Sequence, residues 1–340
     1  MRGSCLYVAA TGTGKTRVGS EVVARWLNHI PGSRVLILAG RIEIIKQLTT
    51  SLEFVGVLVG VECGSQISTG EPVVVGSICG VRPGTPRFNR VLRPSPPSLV
   101  VVDECHHSQA PTWRAVLDAL PPHARLGLTA TPNRSDGLPL RELFAEVACE
   151  YSREQGIRDG HLTPFREVRA ESVRELTSLA GSRRTIVYCT SVDASQELAR
   201  CLTSLGVSAV HADGSTMSPR ERARALTSFA SGEVQYLTNC QLVTEGWDVP
   251  GVECVAVMRG CGSPTMMSQM LGRGLRSAPG KSECLFVLLP DQVPLDILER
   301  RSPSGSPGRA PPSGRGRVPV ARIHTPGVGL GRRFLGWLGL

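Results

Sequence analysis

Residues 9–16 read AATGTGKT, after a short apolar run and before a helix-like stretch. Gly12 and Gly14 let backbone N–H groups curl around anionic oxygens at a helix N-terminus, with Ala10, Thr11 and Thr13 completing the loop. Lys15 can then reach β- and γ-phosphates, and the Thr16 hydroxyl can ligate Mg²⁺. Ala9 stands where the general pattern has Gly. Downstream, LVVVDECHH sets Asp103 and Glu104 side by side at the end of an apolar run. Adjacent carboxylates there are costly without a cation. One can hold Mg²⁺ with Thr16, while the other orients and deprotonates an attacking water. The chemistry so assembled is transfer of a phosphoryl group from a nucleoside triphosphate to water.

Groups of this kind must sit on strand ends and helix starts. From Cys5 to Phe144, apolar runs alternate with amphipathic ones: strands are expected at residues 5–9, 34–39, 72–76, 99–103 and 125–129, helices at 15–28 and 42–53. Runs such as VLILA and LVVVD lack polar alternation, which indicates a parallel sheet covered on both faces. The Arg/Pro-rich piece 82–98 reads as a surface loop. After a connector at 151–183 the alternation restarts, with strand-like TIVYC, VSAVH, VQYLTN, VECVAVM and CLFVLL and helices expected at 194–205 and 219–229. The expectation is α/β throughout: an ATP-binding domain over 1–150, a second over 184–292 and a disordered tail over 293–340.

Composition narrows the partners. The 340 residues carry a net charge of +9, but residues 301–340 hold seven Arg and no acidic residue, leaving +2 for the rest. A nucleic-acid groove must therefore be local, with the tail a candidate arm on phosphates. No apolar run approaches the roughly 20 residues of a membrane span, and no secretion signal is evident. The eleven cysteines form no CxxC pair, which argues against zinc and suits a reducing, cytoplasmic setting.

AATGTGKT, DECH (103–106), LTATP (128–132), TEGWDVP (244–250) and QMLGRGLR (269–276) stand in the order and approximate spacing of superfamily 2 helicases. With GLTATPNRSDG, IRDGHLTP and GRGLRSAPGK, residues 3–290 resemble the RadD-like DNA helicase branch, related to the motors of type I and type III restriction enzymes. The resemblance implies two tandem RecA-like domains with ATP and Mg²⁺ between them. It gives Lys15 and Thr16 the roles argued above, and implies that Asp103 is the carboxylate on Mg²⁺ and Glu104 the one on the water. It makes His106 and Gln269 links between the γ-phosphate and the interdomain contact, and Thr129 and Thr131 coupling residues. Arg273 and Arg276 match the arginine fingers, and their spacing of three would put both on one helix face. Gly246 and Asp248 match a motif spanning the interface. Arg41, Ser77, Ser191 and Thr244 are the implied contacts to nucleic acid phosphates.

DECH, LTATP and GRGLR favour DNA over RNA, since RNA-directed relatives carry DEAD and SAT at those places. The expected activity is a DNA-stimulated ATPase acting as a helicase or translocase in repair or recombination. Two alternatives stand beside it: the motor of a restriction system, or a weakly hydrolysing nucleic-acid clamp. Residues 1–8 hold no counterpart of the Gln-bearing, adenine-reading segment of these helicases, so the resemblance carries over no adenine-reading residue. Gly40 stands where relatives often have His.

Overall fold

The computed structural model describes residues 3–121, 123–130, 140–240, 249, 251–258 and 264–290, without the side chains of Arg141, Pro264 and Thr265. The expected tail at 293–340, and Thr131, Thr244, Gly246 and Asp248, lie outside the described residues.

The first half alternates strand and helix as β1 (Ser4–Ala9), α1 (Lys15–His29), β2 (Val35–Ala39), α2 (Ile42–Phe54), β3 (Val59–Glu62), β4 (Val73–Ser77), α3 (Pro86–Val91), β5 (Leu99–Val102), α4 (Pro111–Ala119), β6 (Ala124–Thr129) and β7 (Glu146–Tyr151). Its seven strands run in the order β3-β4-β2-β5-β6-β1-β7, every pairing parallel. The apolar runs explain the layering. Alternate residues of one strand point to opposite faces, so Cys5, Tyr7 and Ala9 pack with α1 and α2 while Leu6 and Val8 pack with α4.

The second half contains α5 (Arg153–Arg158), β8 (Phe165–Arg169), α6 (Val173–Ala180), β9 (Thr185–Tyr188), α7 (Val192–Ser204), β10 (Ala209–Ala212), α8 (Pro219–Ser231), β11 (Tyr236–Asn239), β12 (Cys254–Met258), α9 (Pro264–Gly274) and β13 (Cys284–Leu289). These strands form a second all-parallel sheet, β10-β11-β9-β12-β13-β8, again with a core on each face.

Two expectations need correction. The stretch 82–98 is not wholly loop: Thr85 caps α3 by accepting from the Phe88 N–H at 3.1 Å, with Pro86 opening the helix. The supposed connector 151–183 contains β8, which pairs with β13, so the second sheet recruits chain well before residue 184. Among the described residues no helix is long and apolar enough to cross a membrane.

Candidate active site

In a parallel sheet the carboxyl ends of the strands share one edge, and helices begin there with their N–H groups exposed. Residues 10–14 bridge β1 to α1 at that edge. Gly14 adopts φ 87° as the N-cap of α1, and Thr13 closes the turn by donating from Oγ1 to the Ala10 carbonyl at 2.7 Å. Lys15 donates to the Ala9 carbonyl at 3.1 Å, which ties it to the strand it follows. Thr16 lies in the first turn of α1.

Asp103 is buried just beyond β5, its N–H bonded to the Leu38 carbonyl at 3.0 Å. Glu104 is the only non-glycine described residue with positive φ, at 46°. Such a backbone costs on the order of 1–3 kcal/mol in a non-glycine residue. The turn presents the Glu104 carboxylate to the cleft. Behind it His106 Nδ1 lies 3.3 Å from Glu104 Oε2 and 3.4 Å from the Thr129 hydroxyl at the end of β6. His106 and Thr129 therefore meet beside the acid pair, a contact that the resemblance did not specify.

The second sheet supplies the opposite wall. Gln269 and Arg273 are buried on α9. Arg276 departs from expectation: α9 ends at Gly274, and Arg276 is extended, bridging to Leu162. The two arginines therefore do not share a helix face, yet both reach one cavity. That cavity, of about 770 Å³, is lined by Thr11, Gly12, Gly14, Lys15, Thr16, Asp103 and Glu104 from the first half and by His161, Arg273, Arg276 and Ser277 from the second.

The walls touch closely. Ala10 packs against the second sheet's core, and a Cβ on Gly272 would sit 2.5 Å from the Thr11 Cβ. A Cβ on Gly12 would meet the Gly272 carbonyl at 3.3 Å. Only glycine fits such an approach. Lys281, which the sequence reading did not single out, donates to the carbonyls of Gly274 at 2.5 Å and Arg276 at 2.7 Å. It thereby fixes the turn that aims Arg276. GRGLRSAPGK contains it, but nothing in that string signals an amine folding back on the chain.

Burial pushes the Lys15 ammonium below its ordinary range; Glu104 and Asp103 oppose the shift and Arg273 and Arg276 reinforce it. With Arg17 and Lys46 on the same lining, five basic side chains face two carboxylates, an excess of positive charge suited to a polyanion. The hydroxyl of Thr16 and the carboxylate of Asp103 are hard oxygen donors of the kind Mg²⁺ takes, so these two residues would hold that ion. It would neutralise charge on the phosphate oxygens.

The expected nucleic-acid contacts separate into two places. Ala39 and Ser77 are register partners, so Arg41, the exposed N-cap of α2, and Ser77 share a stretch of the first sheet's edge. Ser191 follows β9 in the second sheet and caps α7, accepting from the Ala194 N–H at 3.1 Å.

The family model "Type III restriction enzyme, res subunit" matches residues 2–134, and "Helicase conserved C-terminal domain" matches residues 168–278. A 51.5 kDa protein of a Lactococcus phage is 27% identical over 295 residues, covering 78% of this chain and 61% of its own length. The type I restriction enzyme EcoAI endonuclease subunit of Escherichia coli is 25% identical over 348 residues, covering 84% and 43%. The solved ATP-dependent type ISP restriction-modification enzyme LlaBIII, bound to DNA, shares the fold at a TM-score of 0.68 and 14% identity, over 84% of this chain and 26% of its own. The chain spans about half the length of the curated relatives it matches.

Proposed function

Because the chain belongs to superfamily 2 of the helicases, on the restriction-motor-like branch, we propose that it hydrolyses ATP between its two sheets and couples turnover to movement along nucleic acid, DNA in preference to RNA. Lys15 binds the β- and γ-phosphates, Thr16 and Asp103 hold Mg²⁺, and Glu104 takes a proton from the attacking water. Arg273 and Arg276 stabilise the charge that develops on the γ-phosphoryl oxygens. Gln269, His106 and Thr129 relay the state of that phosphate between the halves. Arg41, Ser77 and Ser191 grip backbone phosphates, which positions a strand without reading its sequence. Opening and closing of the cleft would then shift one grip past the other.

The observation that carries this reading is the shared cavity, with the lysine and acid pair on one wall and both arginines on the other. We assign the first domain to residues up to about 151, and the second from α5 onward. Phosphate release from ATP, with and without single- or double-stranded DNA, tests the reading: DNA should raise turnover, and Lys15→Ala should abolish it. Turnover indifferent to Lys15 removes the assignment.

A restriction motor is the second reading, favoured over repair or recombination by the family match over residues 2–134. A methylase or nuclease partner copurifying with the chain would support it.

A further inference from the structure

The cavity extends beyond the groups that the phosphates occupy. Past Lys15 and Thr16 it runs along the groove between α1 and α2, where Arg17, Gln47, Thr50, Ser51 and Phe54 line it. Phe54 is 76% exposed, a large ring left open beside a polar site. The Arg17 guanidinium lies 4.2 Å from the centre of that ring, and its Nη2 is 3.3 Å from Glu21 Oε1 one turn further along α1. The ring and the carboxylate together hold a planar cation in place on the cavity wall. The Ser20 hydroxyl donates to Ser51 at 2.9 Å and fixes the two helices at this point.

Direction follows from the phosphate chemistry. With the γ-phosphate facing Glu104 and Arg273, and the β-phosphate over the start of α1, the α-phosphate and nucleoside must leave over the first turn, past Thr16 toward Arg17. A nucleobase is flat, polarisable and edged with donors and acceptors. Guanidinium planes and aromatic rings bind such faces by stacking. The Gln47 amide and Thr50 hydroxyl offer the kind of groups that read a base edge.

We propose that Arg17, backed by Phe54, is the platform on which the base of the bound nucleoside triphosphate stacks, making α1 and α2 the source of nucleotide affinity beyond the phosphates. This rests on the ATP site proposed above. The stacking area favours a purine over a pyrimidine.

Titration of the full chain with two probes, ATP and inorganic tripolyphosphate, each with Mg²⁺, tests it. Phe54→Ala and Arg17→Lys should each weaken ATP about tenfold and leave tripolyphosphate within about twofold. Arg17→Lys keeps the charge and loses the flat face. Phe54→Tyr should retain wild-type ATP affinity. ATP affinity blind to both substitutions, or equal losses for both probes, overturns the base platform while leaving the phosphate site standing. Wild-type chain that binds neither probe overturns the proposed ATP site and the platform with it.

Discussion

At the outer edge of the first sheet β3 ends in Glu62, and at the outer edge of the second β10 runs into Asp213; both carboxylates are fully buried. Glu62 is held by charge: Arg90 donates from Nε at 2.8 Å and Nη2 at 3.0 Å, Arg87 from Nη1 at 3.1 Å, and Ser68 through its N–H and hydroxyl. Asp213 is held by the N–H groups and hydroxyls of Ser215 and Thr216, small neutral donors, and by His211, whose Nε2 lies 2.8 Å away while its Nδ1 meets Ser195 at 2.7 Å. One architecture thus solves the same problem twice with different chemistry. The strand edges nearer the cleft diverge further. The first sheet's edge carries Lys15, Asp103 and Glu104, while the second contributes Arg273 and Arg276 from α9 and the turn after it. Fold sets where groups can stand, and the side chains decide what is done there.

Glu104→Gln breaks the comparison most severely, because the first edge then loses the carboxylate proposed to take the proton from water. Turnover of ATP should fall about 10³-fold with ATP binding retained, measured by phosphate release beside equilibrium titration. Gly272→Val attacks the second half's contribution without touching a charge. With a side chain forced into Thr11, the arginines move away from Lys15, and kcat should drop on the order of 10²-fold. Unfolding of the variant should stay close to wild type, since the strain can be relieved by widening the seam.

The two buried carboxylates should affect folding and not chemistry. Glu62→Gln leaves Arg87 and Arg90 short of their counter-charge and should cost about 3 kcal/mol; Asp213→Asn should cost about 2 kcal/mol through broken hydrogen bonds. Chemical denaturation reads both. Burial alone would raise either acid, yet Arg90 and Ser68 hold Glu62 below the usual carboxylate range, and Thr216, His211 and Ser215 hold Asp213 well below it. A depressed folded pKa gives stability that is present above the unfolded value of about 4 and is lost as pH falls. Acid should therefore destabilise the wild-type chain below about pH 4, and each substitution should flatten that dependence.

Much of this was legible in the residues, for local reasons. A glycine-rich turn between a strand and a helix, or two acids after LVVV, is chemistry confined to a few neighbours. The near-continuous apolar runs gave the central strands to within a residue or two. The misses have physical causes as well. Strand β7, EVACEY, lies at a sheet edge with mostly exposed or half-buried residues and shows little apolar signal. In α3 the Thr-Pro start was masked by the surrounding Arg and Pro, although it is a helix-initiation pattern. Arg276 left the helix because Gly274 ends it, and a spacing of three cannot report that. The meeting of Arg273 with Lys15 across 258 positions of sequence was expected from the resemblance alone, because it depends on how the halves pack and no spacing encodes it.

The most direct test is Arg273→Ala, assayed for ATP binding and for DNA-stimulated phosphate release beside wild type. Catalysis shared across the seam predicts kcat lower by about 10³-fold or more, with ATP affinity changed only a few-fold. Turnover that survives without the Arg273 guanidinium would mean that one half suffices and would contradict it.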